Sequence, residues 1–281
     1  MVALMASEGH FRSPGQLLDE LGITNPEDID IEAIAFYCKA TIRYRALTGC
    51  DACIVGNGDT AIITVDSAAP RGRQRFSAGH ELGHWMHDRG KAAFSCQDRV
   101  MVREWSAQNP ESRANRYASD LLLPVPLFKP RASVLKKVDF DAVRTLATAF
   151  TTSLTATAIR LVEHGPLPAV LVCYSDSVRR WFARRSSIPD KLWPHQQPQP
   201  HSYAFDLCQG AAESELRGEV RADAWFDHRS AEGHYIHEHS LRTSYGDVLS
   251  ILWWKDERML IELEEYEERL ASRRSDWRSE E

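Results

Sequence analysis

Arg75-Phe76-Ser77-Ala78-Gly79-His80-Glu81-Leu82-Gly83-His84-Trp85-Met86-His87 is the stretch on which the reading of this chain turns. It contains His-Glu-x-x-His. On an α-helix residues four apart share a face, so His80 and His84 can aim two imidazoles at one metal ion. Glu81 projects from the adjoining face, placed to deprotonate a water molecule there. Two neutral nitrogens, a nearby carboxylate and an open coordination position describe a zinc hydrolase with Glu81 as its general base. The pentapeptide alone fits equally a surface helix that carries two histidines by chance. Its surroundings favour the metal. Phe76, Leu82, Trp85 and Met86 form an apolar stripe that a core would bury. Gly79 and Gly83 flank the histidines, although each weakens a helix interior by roughly 1 kcal/mol. They predict a close approach by a packed neighbour or a substrate strand.

A catalytic zinc needs a third protein ligand. The long metzincin pattern would require Gly at 87 and a ligand at 90, where the chain has His87 and Gly90, and it is excluded. The other common arrangement takes a glutamate from a later helix, and Glu104 and Glu111 are both far enough downstream. Asn109-Pro110-Glu111 reads as a helix start, with Asn as N-cap and Pro at the first helical position. Glu111 then lies in the first turn, where the helix dipole favours an ionised carboxylate. That position suits a metal ligand better than the alternative, a carboxylate that only complements the dipole. One turn on, Asn115 shares its face and is placed to accept the outer N–H of a ligand histidine.

Taken together, these residues resemble the ImmA/IrrE family of metallopeptidases. Arg75 to His84 is similar to the family's R-F-T-x-A-H-E-x-G-H core. Glu111-Ser112-Arg113-Ala114-Asn115-Arg116-Tyr117-Ala118-Ser119-Asp120-Leu121-Leu122-Leu123-Pro124 is similar to its E-x-x-A-N-x-F-A-x-x-L-L-M-P helix. Ala61 to Asp66 resembles the strand before the metal helix, and Asp139 to Glu163 resembles two trailing helices. The likeness covers roughly residues 30 to 165. Gly79 stands where Ala is usual, Tyr117 replaces Phe and Leu123 replaces Met; none of these removes a ligand or the base. The resemblance implies a helix-dominated, zincin-like fold and one zinc ion per chain on His80, His84 and Glu111. It further implies a site-specific protease that cleaves a helix-turn-helix repressor or antitoxin and so induces stress-response or mobile-element genes. A non-proteolytic regulator of the same fold, binding a repressor or DNA, is the alternative.

Composition narrows the setting. No basic leader precedes an apolar run and no stretch approaches a membrane span, so a cytoplasmic protein without a membrane partner is expected. The net charge of −6 does not indicate direct nucleic-acid binding, although the Arg71-Gly72-Arg73-Gln74-Arg75 run is locally basic. Cys50-Asp51-Ala52-Cys53 has the gap of a zinc or redox motif, but no second pair answers it, so reduced thiols are expected.

The organisation is α+β, and three segments are expected. Residues 1–165 are the metallopeptidase domain, 166–260 a β-rich domain for sensing or substrate binding, and 261–281 a charged tail. Helices are predicted at 13–22, 29–46, 74–88, from Asn109 to Pro124, 139–149 and 153–163. A hairpin around Gly56-Asn57-Gly58-Asp59 joins strands within 52–65. Beyond 165, strands are predicted at 169–174, 178–183, 203–208, 218–226, 234–240 and 247–254. Trp181, Trp193, Trp225, Trp253 and Trp254 are expected to fill the β-core. His237 and His239 share one side of a strand, expected to be a solvated face. Oxyanion stabilisation is open among Tyr117, His201, His228 and the histidines of 234–239.

Overall fold

A computed structural model describes residues 11–88 and 109–278, with the side chains of the final helix described to 266 and at 268 and 269. The chain divides into two compact units, Met1–Arg131 with Arg144–Thr157, and Ala132–Val143 with Ala158–Glu281. Helices and strands mix in an α+β arrangement with one sheet in each unit.

In the first unit, α1 (Pro14–Glu20) starts at a capping box, with Ser13 Oγ accepting from Gln16 N and the Gln16 side chain returning to Ser13 N. At α2 (Ile31–Tyr37) the cap is one-sided, with the Asp30 carboxylate accepting from Ala33 N. The helix expected to run to residue 46 ends here. Lys39 takes φ 63°, and the chain continues as β1 (Ala40–Arg45). The reason is tertiary. β1 pairs in parallel with β3 (Thr60–Asp66), and Ala40, Ile42 and Tyr44 turn toward the core, a gain that outweighs any local helix preference. β2 (Ala52–Asn57) pairs antiparallel with β3 through the expected hairpin, whose Gly58 has φ 60°, giving the order β1-β3-β2.

Over this sheet lies α3 (Arg71–Asp88), which carries the His-Glu-x-x-His segment. Three contacts fix it. The Trp85 indole donates to Cys38 O at 2.9 Å, Arg75 donates to Ile29 O at 2.8 Å, and Arg73 grips Asp51 at 2.6 and 3.1 Å. Next comes α4 (Pro110–Leu122), followed by α5 (Val125–Ser133), α6 (Phe140–Phe150) and α7 (Leu154–His164), each of which has residues in both units. The core of this unit collects Leu17, Ile34, Ile63, Leu82 and Leu121, all essentially inaccessible.

The second unit holds β4 (Ala169–Ser175), β5 (Val178–Arg184), α8 (Tyr203–Cys208), β6 (Glu215–Arg221), β7 (Tyr235–Arg242), β8 (Val248–Trp253) and α9 (Arg258–Arg278). Its antiparallel sheet has the order β5-β4-β8-β7-β6. The segment expected as a strand at 203–208 is α8 instead. Ser202 Oγ caps Phe205 N, and the Glu238 carboxylate on β7 accepts from Tyr203 N at 3.1 Å and Ala204 N at 2.7 Å. A cap supplied from residue 238 leaves no local signature. The strand predicted at 218–226 begins at Glu215 and gives way at Ala222 to a short 3-10 turn. Trp225 and Trp254 fill the core, whereas Trp193 stays 54% exposed. Among the described residues, no helix is long and apolar enough to cross a membrane.

Candidate metal centre

The centre is built where α3 crosses α4, and glycine sets the distance. A Cβ on Gly83 would lie 3.0 Å from Ala114 Cα and Tyr117 Cβ, and one on Gly79 would lie 3.3 Å from Ala118 Cβ. With hydrogen at both positions and alanine opposite, the helices approach far closer than two ordinary side chains permit. This is the close approach that the glycines predicted, made by a packed helix. Arg113 reaches Asp88 at 3.5 Å and ties the two helices again one turn further on.

α4 begins as the Asn-Pro-Glu signature requires. Asn109 Oδ1 accepts from Glu111 N at 3.0 Å, Pro110 occupies the first turn, and Glu111 follows. His80 Nε2 and His84 Nε2 are 3.0 Å apart. Glu111 Oε2 lies 3.1 Å from the first and Oε1 lies 3.3 Å from the second. On the far side of the imidazole, His80 Nδ1 donates to Asn115 Oδ1 at 2.9 Å. That bond fixes the tautomer and leaves the Nε2 lone pair aimed at the cluster. His84 is 2% exposed and Glu81 1%, whereas the Glu111 carboxylate is about half exposed and faces outward.

Electrostatics follow from this crowding. Contact with the His80 and His84 imidazoles holds Glu111 far below the ordinary carboxylate range, against the opposing effect of burial. Burial pushes His80 down, but contact with the Glu111 carboxylate and the charges of Glu81 and Glu111 outweigh it, so a positive charge is favoured at that ring. Three basic atoms thus share one small space and favour a positive charge among them.

A divalent cation fits that description. The donor atoms of His80, His84 and Glu111 all lie within 4.8 Å of one another, the one such cluster found among the described residues. A tetrahedral zinc site with ligand bonds of about 2.0–2.1 Å separates its ligands by about 3.3 Å, close to the spacings here. Two imidazoles and one carboxylate are a donor set that zinc accepts, and three protein ligands leave a position open. Glu104, the other glutamate weighed as a third ligand, lies outside the described residues.

Tyr117 is not placed for oxyanion stabilisation. Its hydroxyl donates to Arg12 O at 3.0 Å, and burial raises its pKa well beyond the ordinary range. The later histidines have structural partners. His234 meets Glu262 at 3.0 Å, His228 caps a short 3-10 turn, and His237 stacks on Trp253 with ring centres 4.9 Å apart. His239 is fully buried, accepting from Phe140 N and donating to Glu215 at 2.6 Å. The expected solvated face of β7 is therefore a packed one, because Phe140 covers it. The residues that sequence reasoning missed are Ala114 and Ala118, whose small size matters only once α3 is known to lie against them.

Residues 23–162 match the model of a peptidase family described as the IrrE N-terminal-like domain. Among solved structures, a Mycobacterium tuberculosis transcriptional regulator is similar in fold, with a TM-score of 0.59 at 13% sequence identity. The alignment covers 85% of this chain and 73% of that one. No curated protein matches this chain significantly.

Proposed function

From the premise that residues 23–162 make this chain a member of the ImmA/IrrE family, we propose that it is a zinc-dependent, zincin-like endopeptidase. Its substrate in this reading is a helix-turn-helix repressor or antitoxin, and cleavage switches on stress or mobile-element genes in the cytoplasm. The observation that carries the proposal is the convergence of His80, His84 and Glu111 beside the buried Glu81. The domain organisation proposed with it is a metallopeptidase domain over 1–165, a sensing or substrate-binding domain over 166–260, and a charged tail over 261–281.

His80, His84 and Glu111 would hold the ion, and Asn115 would keep the His80 ring in its ligating orientation. Zinc bound there supplies Lewis-acid polarisation of the scissile carbonyl and acidifies a water molecule. Glu81 takes up the proton from the attacking water and later delivers it to the departing amine nitrogen. Its burial keeps that carboxylate away from bulk solvent, where competing proton exchange would otherwise occur. The half-exposed Glu111 carboxylate marks the side from which a peptide chain can arrive.

The test is incubation of the zinc-loaded chain with a helix-turn-helix repressor encoded beside it, followed by gel and mass analysis. Cleavage by the wild type at one bond, and none by Glu81→Gln, is the expected result. An equally active Glu81→Gln variant sinks the mechanism. Stoichiometric binding without cleavage favours the non-proteolytic regulator, a reading that draws on the name of the mycobacterial neighbour.

A further inference from the structure

Among the described residues β6 has a strand neighbour on one side only, since it ends the order β5-β4-β8-β7-β6. A seven-residue free edge of this kind is a template for another strand unless something guards it. Its sequence is Glu215-Leu216-Arg217-Gly218-Glu219-Val220-Arg221, without proline.

The ladder with β7 shows which main-chain groups look outward. Ala222 N donates to His234 O at 2.9 Å and Arg242 N donates to Ser214 O at 2.8 Å. Both are even-numbered positions of the β6 side, and the register between them runs without a shift from Glu215↔Leu241 to Arg221↔Tyr235. In an antiparallel pair, hydrogen-bonded positions alternate. The N–H and C=O groups of Glu215, Arg217, Glu219 and Arg221 therefore point away from β7.

Those four residues alternate in charge along one face. For a two-fold antiparallel pairing of this strand with a copy of itself, the outward positions must meet one another. Centring on Gly218 sets Glu215 against Arg221 and Arg217 against Glu219, in both directions, with Leu216 against Val220. Centring on Arg217 sets like charges together, Arg217 against itself and Glu215 against Glu219. Centring on Glu219 does the same with Glu219 against itself and Arg217 against Arg221. A shift to Leu216 or Val220 uses only part of the strand. Of these registers the one centred on Gly218 pairs the whole strand, and it is attractive throughout. The residue on its axis is glycine, at a non-hydrogen-bonded position where facing Cα atoms come within about 4.5 Å. Within the subunit the Tyr203 ring packs over Gly218, where a Cβ would lie 2.3 Å from the hydroxyl.

We propose that two copies of this chain pair antiparallel through the free edges of β6, about a two-fold axis at Gly218, joining their two five-stranded sheets. The association is isologous, so it closes as a dimer and does not propagate. A row of like charges would have guarded the edge; an alternating row recognises itself. Glu215 keeps its bond to the buried His239 at 2.6 Å, so the attraction rests first on Arg217 against Glu219 at two symmetry-related places. The ion pairs that Arg217 makes with Asp141 and Arg221 makes with Asp223 lie at the surface, where such pairs contribute little and exchange readily. The inference is independent of the metal centre and of the proposed peptidase activity.

The experiment is sedimentation velocity on the full chain over roughly 1–100 µM, a range that reads micromolar association. The wild type is expected to dimerise. Glu219→Arg sets two guanidinium groups opposite each other at two symmetry-related places, and should weaken self-association by roughly tenfold or more. Arg217→Glu should do likewise with two carboxylates. Mixing the two variants restores opposite charges at both places, so an equimolar mixture should form a heterodimer although neither variant forms a homodimer. Should Arg217→Glu fail to fold beside Asp141, Glu219→Pro replaces it. That change deletes one outward N–H, leaves the β7 ladder intact, and should likewise weaken the dimer. A wild type that stays monomeric throughout overturns the proposal, as does a dimer indifferent to Glu219→Arg, or variants that fail to recombine.

Discussion

Two carboxylates, Glu111 on α4 and Glu238 on β7, each sit among several hydrogen-bonding groups, yet they answer opposite needs. Glu238 is fully buried and takes four donors: Tyr203 N, Ala204 N, the Trp225 indole at 2.8 Å and the Ser240 hydroxyl at 2.6 Å. Its lone pairs are met by protein N–H and O–H groups, so it staples α8 and Trp225 to the sheet with no further partner required. Glu111 is half exposed and meets two imidazole nitrogens whose own lone pairs converge on the same spot. Acceptors gathered together need a cation. Donors gathered round a carboxylate make a structural pin, and the comparison separates a candidate reaction centre from a polar core by the direction of its hydrogen bonds.

The widest gap between the two should appear in activity. Glu81→Gln is expected to lower cleavage by about two to four orders of magnitude while the chain still carries metal, the range that general acid–base groups supply. Elemental analysis beside a cleavage assay reads both quantities. Substituting Glu238 should touch neither. Glu238→Ala instead leaves three N–H groups buried without their acceptor and should cost about 3 kcal/mol or more of stability. A denaturant midpoint would record it, and unchanged stability would contradict the pin. Asn115→Ala removes the bond that orients His80 and should weaken zinc binding by roughly 10- to 100-fold without unfolding the chain. Competition against a chromogenic chelator measures this. Gly83→Ala drives a methyl group into Ala114 and should cost about 1–3 kcal/mol, with metal affinity falling alongside stability as α4 is pushed away.

The pH dependence of stability adds the smallest effect. Burial raises the pKa of Glu238, and its four donors offset part of that rise. Between the ordinary carboxylate range and the raised value, the folded state then binds more protons than the unfolded state. Stability contributed by this group falls as pH climbs through that window. Unfolding curves across it should show the slope in the wild type and lose it in Glu238→Gln.

The sequence determined the candidate metal centre of this protein with little help. Four-residue spacing put His80 and His84 on one helix face, Asn109-Pro110 placed Glu111 in the first turn of the next helix, and Asn115 followed one turn later. These are short-range rules, set by helical periodicity and capping, and they survive whatever the rest of the chain does. The hairpin at Gly58 was legible for the same reason.

Tertiary structure decided what short-range rules cannot reach. Residues 40–45 became a strand because β3 lay ready to pair with them, and 203–208 became a helix because Glu238 capped it from another element. His239 was turned from a surface group into a buried one by Phe140, ninety-nine residues away in the chain. Likewise Gly79 and Gly83 announced that something comes close, but only packing identified it as Ala114 and Ala118. In each case the deciding partner is distant in sequence. Its contribution to the free energy depends on contacts that exist only once the chain has folded.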